Sequence, residues 1–259
     1  MLSYTVYNHE SSSEWITFVH GAGGSSAIWY KQLKDFSKHY NVLLIDLRGH
    51  GRSKRSIYSK VKRYNFEIIG NEVMDVLEYL NVEKTHFVGI SLGTIIIRDL
   101  SERFPERCKS LILGGAVMKL NVRGQFLMKM GALFKSVIPY LLLYRLFAFA
   151  IMPKRKHRNS RNLFINEAKK LYQKEFKRWF TLVSEINPLL RLFRIRPSAI
   201  PTIYIMGSED HMFLPSIKKL VAEHTTSKLV IIENCGHVVN VDAPSTFNEE
   251  AINFINSHS

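Results

Sequence analysis

Cysteine is almost missing from this chain of 259 residues: it has two, Cys108 and Cys235, set 127 positions apart and outside any CxxC pair or Cys/His cluster. That argues against a disulfide framework and a zinc finger, and makes the reducing cytoplasm the expected location. The first residues, MLSYTVYNHE, lack a basic start followed by an apolar run, so no secretory leader is expected. Long apolar runs are missing too. The longest, Val137 to Met152, would rise about 24 Å as a helix against roughly 30 Å of hydrocarbon, and Pro139 and Arg145 interrupt it.

Acidic residues are scarce in one place. Between Met118 and Arg196 there are three (Glu167, Glu175, Glu185) against 18 Lys and Arg, a balance of +15, whereas the rest of the chain carries −1 of the total +14. The charge therefore belongs to one internal segment, which also has apolar residues at helical spacing (Phe126, Leu127, Met130, Leu133, Phe134, Val137) and the run PKRKHRNSR at 153–161. It reads as an insertion of basic amphipathic helices. An anionic membrane face or an anionic substrate would suit it. No nucleic-acid partner is expected, because no recognisable nucleic-acid module accompanies the charge.

What is present is an ordinary globular composition, 46% hydrophobic and 22% charged, which excludes disorder as the main state. Short β-branched runs occur at Trp15–Val19, Val42–Ile45, His86–Ile90, Ser110–Leu113, Thr202–Met206 and Lys228–Ile232. Helix-like segments such as Asn65–Leu80 lie between them. This alternation predicts an α/β fold with a mostly parallel sheet covered by helices on both faces. Residues 1–117 and 197–259 are expected to form the core, with 118–196 as a helical cap above it.

The sharpest chemical signal is Gly89-Ile90-Ser91-Leu92-Gly93, a G-x-S-x-G pentapeptide after the strand-like THFVGI and before the helix-like TIIIRDLSERF. Strand, sharp turn and helix are what force a serine Oγ out of a sheet. Without that context the same letters would be a plain Gly/Ser turn. A serine hydroxyl needs a base, and the base needs an orienting acid. His237, just after the last strand, is the best-placed histidine; His211, beside an acid, is its competitor, while His9, His39, His157, His224 and His258 read as solvated. Asp210, 119 positions after Ser91 and 27 before His237, gives the order serine, acid, histidine, with Glu209 as the near alternative. Asp46 also ends a strand but precedes the serine, and reads as a loop anchor.

An acyl-transfer site further requires donors for an oxyanion. The amide of Leu92 is one candidate, and that of Ala22, in His20-Gly21-Ala22-Gly23-Gly24, is the other. The same loop imitates a dinucleotide-binding fingerprint with Asp46 as its distal acid, but Ser26 stands at the third glycine position and the reading leaves Ser91, Asp210 and His237 unused.

Taken together, HGAGG at 20–24, DLRGHGRS at 46–53, GISLG at 89–93, GSEDHMF at 207–213 and GHVVNVDAP at 236–244 resemble the α/β-hydrolase superfamily, in its order and over nearly the whole chain. The resemblance implies Ser91 as nucleophile, His237 as general base, Asp210 as orienting acid, the Ala22 and Leu92 amides as oxyanion hole, and a cap over the site. It implies neither cofactor nor metal. Many relatives have a second glycine after the elbow where this chain has Thr94, a change expected to alter packing rather than chemistry. Fold and triad leave several activities open. The leading expectation is hydrolysis of a carboxylic ester with an apolar or anionic acyl group. The alternatives are a carbon–carbon hydrolase or lyase acting on an anionic metabolite such as a menaquinone precursor, with cap arginines such as Arg123 or Arg145 as carboxylate binders, and a non-enzymatic ligand receptor on a hydrolase scaffold.

Overall fold

Six apolar runs, too short for helices and rich in branched side chains, become parallel strands, and a seventh strand joins them at one edge. The computed structural model describes residues 1–55, 63–134, 137–224 and 226–258, the side chains of Arg55 and Arg123 apart. The strands are β1 (Ser3–Tyr7), β2 (Trp15–Val19), β3 (Asn41–Asp46), β4 (Thr85–Ile90), β5 (Cys108–Gly114), β6 (Thr202–Gly207) and β7 (Ser227–Ile232). They form one sheet in the order β1-β3-β2-β4-β5-β6-β7. Among the described strands, only β1 runs antiparallel, pairing Ser3 with Asp46 and Tyr7 with Val42. The six-run pattern misses it because SYTVY is a half-buried edge strand with no apolar run to announce it.

The helices are α1 (Tyr30–Phe36), α2 (Phe66–Tyr79), α3 (Leu92–Arg103), α4 (Val122–Phe134), α5 (Tyr140–Ile151), α6 (Arg158–Ala168), α7 (Gln173–Ser184), α8 (Asn187–Ile195), α9 (Leu214–Glu223), α10 (Val239–Asp242) and α11 (Pro244–Asn256). The expected helix at 65–80 starts one residue in, because Asn65 is its N-cap and accepts the Ile68 amide at 2.7 Å. Apolar side chains of α2, α3 and α9 pack on one face of the sheet, around Val73, Ile96 and Ile217. Those of α1 and α11 pack on the other, around Trp29, Phe36 and Phe247. Each such side chain, when fully buried, contributes roughly 1.5–3 kcal/mol. Both faces are thus covered, and β3 and β4 are buried along their whole length. Cys108 and Cys235 are free and buried, their thiols pushed up to about 12 chiefly by desolvation.

After β2 the chain moves outward to β3, and after β4 it proceeds the other way to β5. The carboxyl ends of the neighbouring strands β2 and β4 therefore flank the point where the winding reverses, which is where open α/β sheets leave a crevice. Helices α4 to α8 follow β5 and precede β6, forming the inserted cap.

Phe126, Met130, Leu133, Phe134 and Val137, from the helically spaced apolar set of the cap, are exposed. The face of α4 that turns toward the protein instead presents small or flexible residues. Gly131 lies where a Cβ would come within 2.6 Å of the Phe180 ring, and Leu127 and Met128 line a cavity beneath.

Candidate active site

Strand β4 meets α3 at Ser91, whose φ of 54° and ψ of −119° lie in a region that side chains seldom occupy, at a cost of about 1–3 kcal/mol. The glycines on either side make the turn possible. A Cβ on Gly89 would lie 2.9 Å from the carbonyl carbon of Gly93, and one on Gly93 would lie 2.2 Å from the Val19 carbonyl oxygen. The turn is held by the Ser91 amide donating to Gly114 at 3.0 Å. Thr94 adds a second tie: its hydroxyl donates to the Ser91 carbonyl at 2.6 Å and accepts the Val117 amide at 3.4 Å. The hydroxyl thus joins the elbow to the loop after β5.

His237 stands on the loop after β7, with its Nε2 at 2.9 Å from Ser91 Oγ and its Nδ1 at 2.7 Å from Asp210 Oδ2. With the carboxylate accepting from Nδ1–H, Nε2 keeps a lone pair for the serine proton. The ring packs against Phe213 with centroids 5.0 Å apart. Asp210 is fully buried, and its other oxygen accepts the Phe213 amide at 3.1 Å. Both alternatives to this pair point elsewhere: His211 is exposed, and Glu209 faces the cap. There Lys154 lies 3.1 Å and His157 2.9 Å from Glu209, with Lys156 also paired to it. The hydrogen bond from Lys156, with Lys154 behind it, holds the Glu209 carboxyl down at about 2.

The reading of His157 and His224 as solvated is wrong: both are buried. His157 ends the basic run PKRKH yet turns inward, because Gly236 leaves room for its ring and the Glu209 carboxylate faces it. His224 is drawn in where α9 closes, its amide donating to the Leu220 carbonyl at 3.0 Å.

The loop after β2 abuts the elbow: a Cβ on Gly21 would lie 3.1 Å from the Ser91 Cβ and 3.8 Å from the Leu92 amide nitrogen. Its backbone groups can be followed one by one. The Gly21 carbonyl accepts His20 Nδ1–H at 2.8 Å and the Gly24 amide at 3.1 Å. The Gly23 amide donates to His50 Nε2 at 2.9 Å, and Tyr144 on α5 donates its hydroxyl to the Ala22 carbonyl. Among the described residues, no hydrogen bond takes the Ala22 amide. The Leu92 amide stands at the first turn of α3, the positive end of that helix. Asp46 serves as an anchor below this loop, accepting the Ser26 amide at 2.7 Å and the Arg52 amide at 2.9 Å.

His50 and Tyr144 are site residues that pattern reading did not single out. His50 Nδ1–H donates to the Arg48 carbonyl at 2.9 Å, which leaves Nε2 as the acceptor for Gly23. Burial, with His20 nearby, pushes its pKa down to about 3, so the ring stays neutral. Its place in DLRGHGRS was the one available signal. Tyr144 offered none, being one aromatic among many in the cap.

Above Ser91 lies a cavity of about 160 Å³ lined by core residues such as Ile95 and Val117 and by cap residues such as Leu127, Phe147, Phe176 and Phe180. Among the described residues its lining contains no Lys, Arg, Asp or Glu. Arg145 is not part of it and opens onto a separate recess on the outer cap surface; the side chain of Arg123 lies outside the described residues.

Residues 14–244 match the family model for the alpha/beta hydrolase fold. The chain is 25% identical over 264 residues to a protein named uncharacterized carboxylesterase nap from Bacillus subtilis (strain 168), covering 94% of this chain and 80% of that one. It is 24% identical over 242 residues to 3-oxoadipate enol-lactonase 2 of Acinetobacter baylyi, covering 90% and 85%. Among solved structures, the enol-lactonase from Burkholderia xenovorans LB400 superposes with a TM-score of 0.81 at 18% identity, covering 98% of this chain and 96% of the other. That structural likeness speaks for the fold, while the family match extends through the elbow, the acid and the histidine. The chain belongs to the α/β-hydrolase fold family, as a member with a helical cap inserted between its fifth and sixth strands.

Proposed function

We propose that this protein is a carboxylic-ester hydrolase that works through an acyl-enzyme on Ser91 and takes substrates with an apolar acyl group. The observation that carries the reading is the line from Asp210 through His237 to Ser91, at 2.7 and 2.9 Å, opening into a cavity without charged residues in its described lining. His237 accepts the Ser91 proton as Oγ attacks the ester carbonyl, and Asp210 stabilises the imidazolium that forms. The carbonyl oxygen, now negative, takes hydrogen bonds from the Ala22 and Leu92 amides, each worth roughly 3–4 kcal/mol in such a site. As the tetrahedral intermediate collapses, the alkoxide leaves with the proton held by His237. A water molecule then gives a proton to His237 and attacks the acyl carbonyl, and the second tetrahedral intermediate breaks its bond to Ser91 Oγ, which takes the proton back from His237 as the acid leaves.

The names of the relatives, a carboxylesterase and an enol-lactonase, support acyl–oxygen cleavage. A carbon–carbon hydrolase or lyase acting on an anionic metabolite would want cations beside the nucleophile. The described lining has none, and Arg145 stands on the outer surface.

The test is turnover of p-nitrophenyl esters across a series of acyl lengths, together with labelling by a fluorophosphonate. Wild-type protein should cleave the esters and be labelled, and Ser91→Ala should do neither. Absence of both in folded wild-type protein overturns the reading.

A further inference from the structure

The outer surface of the cap has a combination that the chemistry at Ser91 does not use. On α5, Leu142, Leu146 and Phe149 are about half exposed and recur every three or four positions, forming one stripe. On α4, Val122, Phe126 and Leu133 are between 62% and 82% exposed. Exposed apolar groups arranged in patches, rather than scattered singly, mark a surface that meets something apolar.

The recess beside the α5 stripe is lined by Arg145, Arg158, Arg161 and Lys169 with Phe149. Arg161 is committed: it donates to the Met152 carbonyl at 2.6 Å, and its guanidinium lies 4.2 Å from the centroid of the Phe149 ring. Among the described residues, no carboxylate pairs with Arg145, Arg158 or Lys169. The acids of the segment are engaged elsewhere. Glu167 accepts the Ser25 hydroxyl at 2.7 Å, Glu175 pairs with Arg178, and Glu185 takes Arg63 at 2.8 Å. The +15 of residues 118–196 thus leaves a cationic rim around an exposed apolar stripe.

We infer that α4 and α5 form a docking surface for an anionic lipid bilayer, with Leu142, Leu146 and Phe149 entering the headgroup boundary and Arg145, Arg158 and Lys169 meeting lipid phosphates. Apolar burial and attraction to anionic headgroups act together on such a face. Charge selects this occupant over a second copy of the chain, since two faces of the same sign repel. The contact inferred is with the bilayer surface; among the described residues, no helix is long and apolar enough to cross a membrane. The inner residues of the same two helices, including Leu127, Met128 and Phe147, line the cavity over Ser91. Docking would therefore set the roof of the cavity against the phase in which apolar esters concentrate.

The experiment is co-sedimentation of the full chain with vesicles of phosphatidylcholine alone or mixed with phosphatidylglycerol, at low ionic strength and at roughly 1 M salt, where the Debye length is about 3 Å. The triple variants Leu142→Ser/Leu146→Ser/Phe149→Ser and Arg145→Glu/Arg158→Glu/Lys169→Glu are compared with wild type. Val122→Ser/Phe126→Ser serves should the first triple variant fail to fold, with a cooperative thermal melt as the folding control. Wild type should bind the anionic vesicles at least about tenfold better than the neutral ones and lose that preference in salt. Each folded variant should bind about tenfold less. Ser91→Ala should bind like wild type, so a failed ester assay and a failed docking assay remain distinct. Absence of binding to anionic vesicles, equal binding by the variants, or a wild-type dimer in sedimentation velocity that the serine substitutions dissolve would overturn the inference.

Discussion

His50 and Tyr144 hold opposite sides of one peptide group. The histidine accepts the Gly23 amide at 2.9 Å, and the tyrosine hydroxyl donates to the Ala22 carbonyl of the same peptide unit. One residue comes from the loop after β3 and the other from α5, 94 positions later in the chain. The loop after β2 is thus fixed jointly by core and cap.

If the loop after β2 serves the proposed oxyanion, loss of the His50 contact should weaken turnover more than binding. We expect His50→Ala to lower kcat by about 10- to 100-fold, short of the 10²–10³ for outright loss of an oxyanion donor, with KM within about twofold. His50→Gln, whose side-chain oxygen can accept the Gly23 amide, should recover most of the loss. Tyr144→Phe should cost less alone, and the pair of substitutions should be non-additive by about 0.5–3 kcal/mol. Steady-state kinetics on one ester decide it; equal losses for His50→Gln and His50→Ala would show that the hydrogen bond is not what matters.

The lining of the cavity predicts a graded acyl preference. Each buried methylene is worth about 0.8 kcal/mol, so kcat/KM should climb roughly fourfold per added carbon until the chain meets the Phe176 and Phe180 rings, and then fall. Phe180→Ala should move the optimum to longer acyl groups. A flat profile across the ester series would mean that the acyl chain does not lie in this cavity.

Two buried histidines make the fold sensitive to acid. Burial is the main reason that His50 is held at about 3 and His86 at about 4, below the ordinary 6.5. A folded-state pKa below the unfolded one means that the unfolded chain takes up the proton first. Their contribution is complete above about pH 6.5 and is lost as pH falls toward 4 and then 3. At pH 5 each should cost about 2 kcal/mol relative to pH 7.5. Glu209, held at about 2, does not enter this window, since its own loss begins only below about 4.5. Urea denaturation at the two pH values is the measurement, and a midpoint that stays put at pH 5 would contradict it.

Position 93 should tolerate less than position 94. A Cβ at Gly93 would sit 2.2 Å from the Val19 carbonyl oxygen, so Gly93→Ala should destabilise by about 3–5 kcal/mol and deplete soluble protein. Thr94→Gly gives up hydrogen bonds to Ser91 and Val117 and adds a helical glycine, for a total of about 2 kcal/mol. It should retain activity. Thermal melts of the two variants rank them.

Much of the core could be read from the chain because it depends on local pattern. The strand runs, the Asn65 cap and the Gly89–Gly93 turn are each set by a few neighbouring residues. The meeting of Ser91, Asp210 and His237 followed from their positions at the ends of three strands. What escaped depends on partners far away in sequence. SYTVY becomes a strand only by pairing with β3, and His157 is buried only because Gly236 and Glu209 receive it. The α4 stripe showed helical spacing, but spacing does not say which side of a helix faces the protein. That choice went to Gly131, where Phe180 fills the space that a side chain would occupy.

The turn at Glu209 and Asp210 has a consequence for rebuilding this enzyme. Glu209 is fastened to Lys154, Lys156 and His157 of the insertion, and the next residue in the chain orients His237. The helical insertion is therefore not an exchangeable cassette. A transplanted cap would need its own cation at Glu209 and its own hydroxyl over Ala22, or it would arrive with the turn before His237's carboxylate partner and the loop after β2 unsupported.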